Sequence, residues 1–249
     1  MKEVERVAAF AADIGAEIVR CGGEVSRAED TVSRICLALG GVRCEVFAIN
    51  SYISVCVENM EGESAMICRR IRGRTTDLGR LEQLNQISRE ICECETDMNT
   101  AQERLSINDN VRSVLCGYIS SMLVCSVFTL FFGGGIQEAI VAGIAGAVTV
   151  LLKRKARNGF GNAVVFTFVC SLLSGTVGAL LTYHGLADDY SVVAKGDIML
   201  LVPGISLVCA GRDIIGGELL TGLLSFIETV LIAIALAVGF VLPELWLQR

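Results

Sequence analysis

One histidine, two prolines and a single tryptophan among 249 residues leave little material for several kinds of chemistry. His184, the only imidazole, sits at the outer end of an apolar run, and no GxSxG or HExxH pattern occurs, so a Ser-His-Asp arrangement lacks a plausible base. There is no GxxxxGK[ST] phosphate loop either. The glycine cluster FFGGGIQEA lies in a turn between apolar runs, where a phosphate cradle has no role, which argues against an intrinsic ATPase. The eleven cysteines (21, 36, 44, 56, 68, 92, 94, 116, 125, 170 and 209) contain no CxxC pair and are odd in number. They read as reduced thiols used as small apolar residues, with Cys92 and Cys94 the only close pair, and neither a metal nor a cofactor is expected. Cationic charge is not in excess: the net charge of −6 argues against a nucleic-acid surface. An apolar leader is also missing, because MKEVERVAAFAADIGAEIVR is charged and helically patterned, so the N-terminal part is expected to remain in the cytoplasm.

Apolar residues are present in abundance. A 53% hydrophobic content and a mean hydropathy of +0.59 exceed what a soluble domain carries and point to membrane spans. Charge is unevenly distributed, with 14 of the 21 Lys/Arg and 19 of the 27 Asp/Glu lying in residues 1 to 112. The expected organisation is therefore a small cytoplasmic α+β domain over 1 to 112, followed by a transmembrane domain over 113 to 249. Five apolar runs fill the second part, at about 113–132, 135–152, 162–183, 197–214 and 219–242, each near the ~20 residues that cross a bilayer core. The connection KRKARNGFG after the second run is strongly cationic, and HGLADDYSVVAK before the fourth is net acidic. The positive-inside rule places the first in the cytoplasm and the second outside, giving an internal N-terminus and an external C-terminus. The fold class is thus an α-helical membrane protein, a five-span bundle preceded by a small α+β domain.

Small residues recur every fourth position in the second run (Ala139, Gly143, Ala147) and the third (Ser171, Gly175, Ala179), which lets helices approach closely in lipid. In the polar part, residues 4 to 20 and 25 to 39 carry helical apolar spacing, the second stopped by Gly40-Gly41. CEVFAINSYISVCVE reads as two strands joined near Asn50-Ser51, and SAMICRRIR as a third. Leu78, Leu81, Leu84 and Ile91 mark another helix, capped by Thr76 or Asp77.

A few charges admit a functional reading beside a bland one. Glu24, Arg27 and Glu29 cluster at a helix start, where capping and i,i+3 pairing are commoner than acid-base work. Glu228 lies inside the apolar run LLSFIETVLIAIALAVG, about 18 Å down the fifth span by helical rise, and charges at such depth face a cavity, a partner or a substrate path. Counting back up the fourth run reaches Gly204 at a similar depth. The Pro203-Gly204 break there loosens the backbone, either as a packing kink or as the unwound segment with which transporters build substrate sites. Arg212 and Asp213, nearer the cytoplasmic end, read either as a snorkelling pair or as a carboxylate-binding gate.

The stretch GDIMLLVPGISLVCAGRDIIGGELLTG resembles the pattern of the threonine/serine exporter family, with Gly196, Pro203, Gly204, Arg212, Asp213, Gly217 and Gly222 on its recurrent positions. AADIGAEIVRCGGEVSRAEDTVSRICLALG is similar to that family's cytoplasmic domain, with Gly22, Glu24, Arg27 and Glu29 on its motif. The resemblance covers nearly the whole chain. It implies an inner-membrane exporter, not an enzyme, for threonine and serine, or for succinate as in some split members. Because the chain ends seven residues after Leu242, it is expected to be the larger subunit of a split form, oligomeric and working in lipid with a smaller membrane subunit. Arg212 and Asp213 with Pro203-Gly204 would hold the carboxylate of a small-molecule substrate, and Glu228 would carry a coupling proton. The rivals are a passive scaffold or pore and a membrane-anchored hydrolase with its site near Glu24 and Glu29, an activity that some descriptions of the family suggest.

Overall fold

The computed structural model describes residues 2–73, 75–106, 114–155 and 162–247. The expected boundary near Arg112 and the loop after Lys155, residues 156–161, lie outside them. The chain divides into two compact units, one of residues 1–110 with 205–226, the other of residues 111–204 with 227–249.

In the first unit, α1 (Glu3–Arg20) and α2 (Val25–Ala38) precede an antiparallel meander of β1 (Gly41–Ile49), β2 (Tyr52–Asn59) and β3 (Ser64–Arg70) in the order β1-β2-β3. Then come α3 (Leu78–Cys92), capped by the Asp77 side chain, and α4 (Met98–Ser106), which the apolar spacing does not announce. Period-2 burial on β2 sends Ile53, Val55 and Val57 into the core, where they meet Phe10, Ile14 and Ile18 of α1 and Val32 and Ile35 of α2. Contact is closest at Gly15, where a Cβ would stand 2.5 Å from Val32 Cγ2 and 2.6 Å from Ile53 Cδ1. The turn after α1 is a Schellman motif: Gly23 N donates to Ile18 O, Gly22 N donates to Val19 O, and Gly22 takes φ +89°. That geometry makes Glu24 the residue that opens α2.

The same unit contains α9 (Gly204–Ile215) from Ile205 onward and the start of α10 (Leu219–Leu247). Another Schellman turn ends α9, with Glu218 N donating to Asp213 O, Gly217 N to Ile214 O, and Gly217 at φ +97°. Gly222 then permits close packing, since a Cβ there would lie 2.6 Å from Ile214 Cγ1 and 2.9 Å from Ala210 O.

The second unit is built of α5 (Val114–Phe131), α6 (Ile136–Lys155), α7 (Ala163–Tyr183), α8 (Tyr190–Leu201) and most of α10. Among the described residues α6, α7 and α10 are long and apolar enough to cross a membrane, a bent pair of α8 and α9 forms a fourth span if taken as one, and α5 is a shorter apolar helix. The exact count of five spans is therefore not reproduced at this level. The small-residue faces do bring helices together: a Cβ at Gly143 would meet Ser126 Oγ of α5 at 2.8 Å, and one at Gly175 would meet Phe240 Cδ1 of α10 at 3.0 Å.

The fourth run departs from expectation. It is not one helix over 197–214, because Val202 and Pro203 are non-helical and separate α8 from α9. Nor does it start at Asp197, since the Asp189 side chain accepts from Ser191 N at 2.8 Å and starts α8 at Tyr190. Part of the acidic connection is thus helical. Helix α10 runs past Leu242 to Leu247 with Pro243 inside it.

Candidate functional site

Two turns bring the sequence motifs together in the first unit. The Schellman turn after α1 places Glu24 at the N-cap of α2, and α9 carries Arg212 in its last turn. Arg212 Nη1 lies 2.6 Å from Glu24 Oε1, with 65% of the arginine side chain exposed against 20% of the carboxylate. Glu24 makes no side-chain cap bond, so its task here is the ion pair and not the capping expected of it. Glu29 forms no i,i+3 pair; it accepts a hydrogen bond from Ala48 N of β1 at 2.7 Å, and Glu218 is the charge nearest to it in effect. Asn50 Nδ2 in the β1–β2 turn donates to Ser225 Oγ of α10 at 2.6 Å. Asp213 is buried beside Arg212, whereas Arg27 is exposed on α2. An exposed guanidinium held by one carboxylate can exchange it for another, which is the chemistry a carboxylate gate requires.

Burial pushes the Glu29 carboxyl above its ordinary value and the Glu218 charge adds to this, while the Ala48 N–H opposes both. A carboxyl raised on folding stabilises the fold below its unfolded value, and that stability is lost as pH rises through the folded value. Glu29→Gln keeps an acceptor for Ala48 and is expected to flatten the fall in melting temperature from about pH 4.3 upward. A melting series on the full chain against pH checks this; an unaltered slope in the variant would exclude Glu29 as its source.

The other sequence-marked residues lie in the second unit. Pro203 lacks an N–H and cannot donate to the Met199 carbonyl one turn back, and a Cβ on Gly204 would meet nothing within 4 Å. Glu228 is exposed on α10.

Two carboxylates there escaped sequence reasoning. Glu138 is buried at the start of α6, accepting from Gly135 N at 2.8 Å and from Asp188 N at 2.9 Å, which ties the α7–α8 connection to α6. Asp197 is 2% exposed, with Oδ2 3.3 Å from Ser174 Oγ of α7 and Oδ1 lacking a hydrogen-bond partner among the described residues. The Asp189 cap was the available signal for Asp197: starting α8 seven residues before it puts the carboxylate well inside a helix.

A cleft of about 620 Å³ in the first unit is lined by Arg20, Arg69, Arg70, Arg72 and Arg80 with Asp13 and Glu17, and includes neither Glu24 nor Glu29.

Comparison with known proteins bears on this geometry. The profile of a family described as a threonine/serine exporter (ThrE) matches residues 9–243. A relative from Klebsiella aerogenes, named "Probable succinate transporter subunit YjjP", is 27% identical over 124 residues, which is 48% of this chain and 47% of that protein. The chain thus spans about half the length of the curated relative it matches. No solved structure matches.

Proposed function

Since the chain belongs to the threonine/serine exporter family, we propose that it is the larger subunit of a secondary exporter for a small carboxylate-bearing metabolite in a bacterial inner membrane, driven by an ion gradient. The observation that carries the proposal is the Glu24–Arg212 pair, which unites both motifs at one exposed guanidinium. A substrate carboxylate would displace Glu24 from Arg212 beside Asp213, and the Pro203-Gly204 break is a separate candidate for substrate contact through its loosened backbone. The substrate is threonine or serine by family, or succinate by the name of the Klebsiella relative.

Glu228 bears on partners and coupling. An ionised carboxylate facing lipid from within a span is costly, so an exposed Glu228 calls for a neighbouring chain or a proton. The smaller membrane subunit supplies that neighbour in an oligomer, and Glu228 carries the coupling proton. The word "subunit" in the relative's name supports the same reading. With the N-terminus inside, the Glu24–Arg212 gate opens to the cytoplasm, as an exporter requires.

The test is efflux of labelled threonine, serine and succinate from proteoliposomes holding the chain with a smaller subunit of the same family, or the chain alone. One of the three substrates is expected to leave rapidly under an imposed pH gradient only when both subunits are present. No efflux of any of them from the pair would overturn the exporter reading, and full efflux from the single chain would overturn the split form.

A further inference from the structure

A single hydroxyl joins three helices in the second unit. Ser174 Oγ of α7 lies 3.0 Å from the Ala145 carbonyl of α6 and 3.3 Å from Asp197 Oδ2 of α8, all of it buried. A serine hydroxyl has one proton to donate and two acceptors here. We infer that Asp197 is a proton-binding site whose occupancy decides which of these contacts the Ser174 hydroxyl makes.

When Asp197 holds a proton, its O–H donates to Ser174 Oγ and leaves the serine proton on the Ala145 carbonyl, so α6, α7 and α8 are linked in series. Once the proton leaves, the carboxylate is the stronger acceptor and takes the serine proton. The Ala145 carbonyl then loses its bond to α7, and the α6–α7 contact weakens.

The surroundings favour this assignment over a fixed ion pair. Gly196 presses α8 onto α5, since a Cβ there would collide with Thr129 Oγ1 and lie 2.7 Å from Cys125 O, and this encloses the neighbouring Asp197. A buried carboxylate is tolerated when it is paired with a cation or neutral. No salt bridge reaches Asp197 among the described residues. Facing it or its neighbours are the Cys125 thiol of α5, Lys153 of α6, Cys170 of α7, Tyr190 on its own helix and Glu244 of α10. Lys153 acts on the two thiols. Thiols, phenols and amines ordinarily titrate above neutrality, and the Tyr190 hydroxyl is committed to the Phe240 carbonyl at 2.9 Å. That leaves Asp197 and Glu244 as the carboxyls in this set, and Glu244 lines an open recess near Asp188 and Asp189 while Asp197 is enclosed.

The proton site stands on geometry alone, whereas its use in transport rests on the exporter reading. Infrared difference spectra of the full chain in lipid vesicles, titrated from acid to alkaline pH without sodium, test the site. A protonated-carboxyl band is expected that disappears on alkalinisation, is missing from Asp197→Asn, persists in Glu228→Gln, and shifts in frequency in Ser174→Ala, whose serine partner is gone. Should Asp197→Asn fail to fold, the Ser174→Ala shift decides alone. A band unchanged in Ser174→Ala, no titrating band in the wild type, or a band displaced by sodium and not by pH each overturns the inference. Efflux from proteoliposomes holding the chain with its smaller subunit separates the two readings: if it runs normally and the band is missing, the exporter stands and the proton site falls. The reverse outcome leaves Asp197 as a proton site in a protein with another task.

Discussion

Arg212→Glu is expected to lower export at least tenfold while moving the melting temperature little. The separation follows from magnitudes. The Glu24–Arg212 pair has 65% of its arginine side chain exposed, so solvent screening holds its contribution to stability to about 1 kcal/mol or less. A charge-assisted hydrogen bond from the guanidinium to a substrate carboxylate is worth about 1.5 to 3 kcal/mol, and each ~1.4 kcal/mol is a factor of ten. Reversal removes that bond and also points a second carboxylate at the incoming one. Arg212→Lys is expected to fall between the two, because the ammonium keeps the charge and loses the planar fork. The paired reversal, Glu24→Arg with Arg212→Glu, restores the ion pair with its ends exchanged and is expected to recover part of the export. Efflux and thermal melting of the same preparations are the measurements. If Arg212→Glu melts far below the wild type, or if export is untouched, the pair is a scaffold contact and the gate is elsewhere.

Gly196→Leu is the substitution expected to damage the membrane unit most. Helices α5 and α8 meet there with no room for a side chain: a Cβ on Gly196 would run into Thr129 Oγ1 and stand 2.7 Å from the Cys125 carbonyl oxygen. The carbonyl belongs to a helix backbone and cannot turn away, so the two helices must separate. Overpacking of this kind costs about 1 to 3 kcal/mol when side chains can yield, and more is expected where backbone must move. For a chain of this length each kcal/mol lowers the melting temperature by about 2 to 4 °C. Gly211→Ala is the matched control, because nothing lies within 4 Å of its Cβ and alanine favours the helix by up to about 1 kcal/mol. Size-exclusion profiles and melting curves of both variants in detergent should diverge, Gly196→Leu aggregating or melting early and Gly211→Ala matching or exceeding the wild type. Equal behaviour would mean that the α5–α8 contact is looser than the geometry states.

Much of the fold was legible because burial imposes a period. The apolar residues of α1 and α2 repeat at helical spacing, those of β2 alternate, and each pattern names its element without any long-range information. Turn chemistry was nearly as readable. Gly40-Gly41 stands where a left-handed residue ends α2, and Asp77 stands where a cap begins α3. What misled was the smoothness of hydropathy in lipid. A window of about twenty apolar residues fits 197–214 as well as any other, whereas Asp189 caps α8 earlier and Pro203 divides the run, so Asp197 moved from a helix end to the interior.

The amino-acid order alone determined which residues are chemically unusual: Glu24, Glu29, Arg212 and Asp213, the Pro203-Gly204 break, and Glu228. Glu228 and the Pro203-Gly204 break contradict their apolar setting, the others stand on charged motifs, and both kinds of signal are visible in one dimension. Which of them meet was decided only by the tertiary structure. Glu24 and Arg212 lie at opposite ends of the chain, and no periodicity relates a helix cap in the first part to the last turn of α9; two Schellman turns and the packing of α9 with α10 at Gly222 set that distance. Asp197 acquired meaning in the same way, because the residue that encloses it is Gly196 against α5, and the hydroxyl that answers it comes from α7. Composition and pattern report what a residue costs to bury, but what a buried charge touches depends on helix contacts that only three dimensions supply.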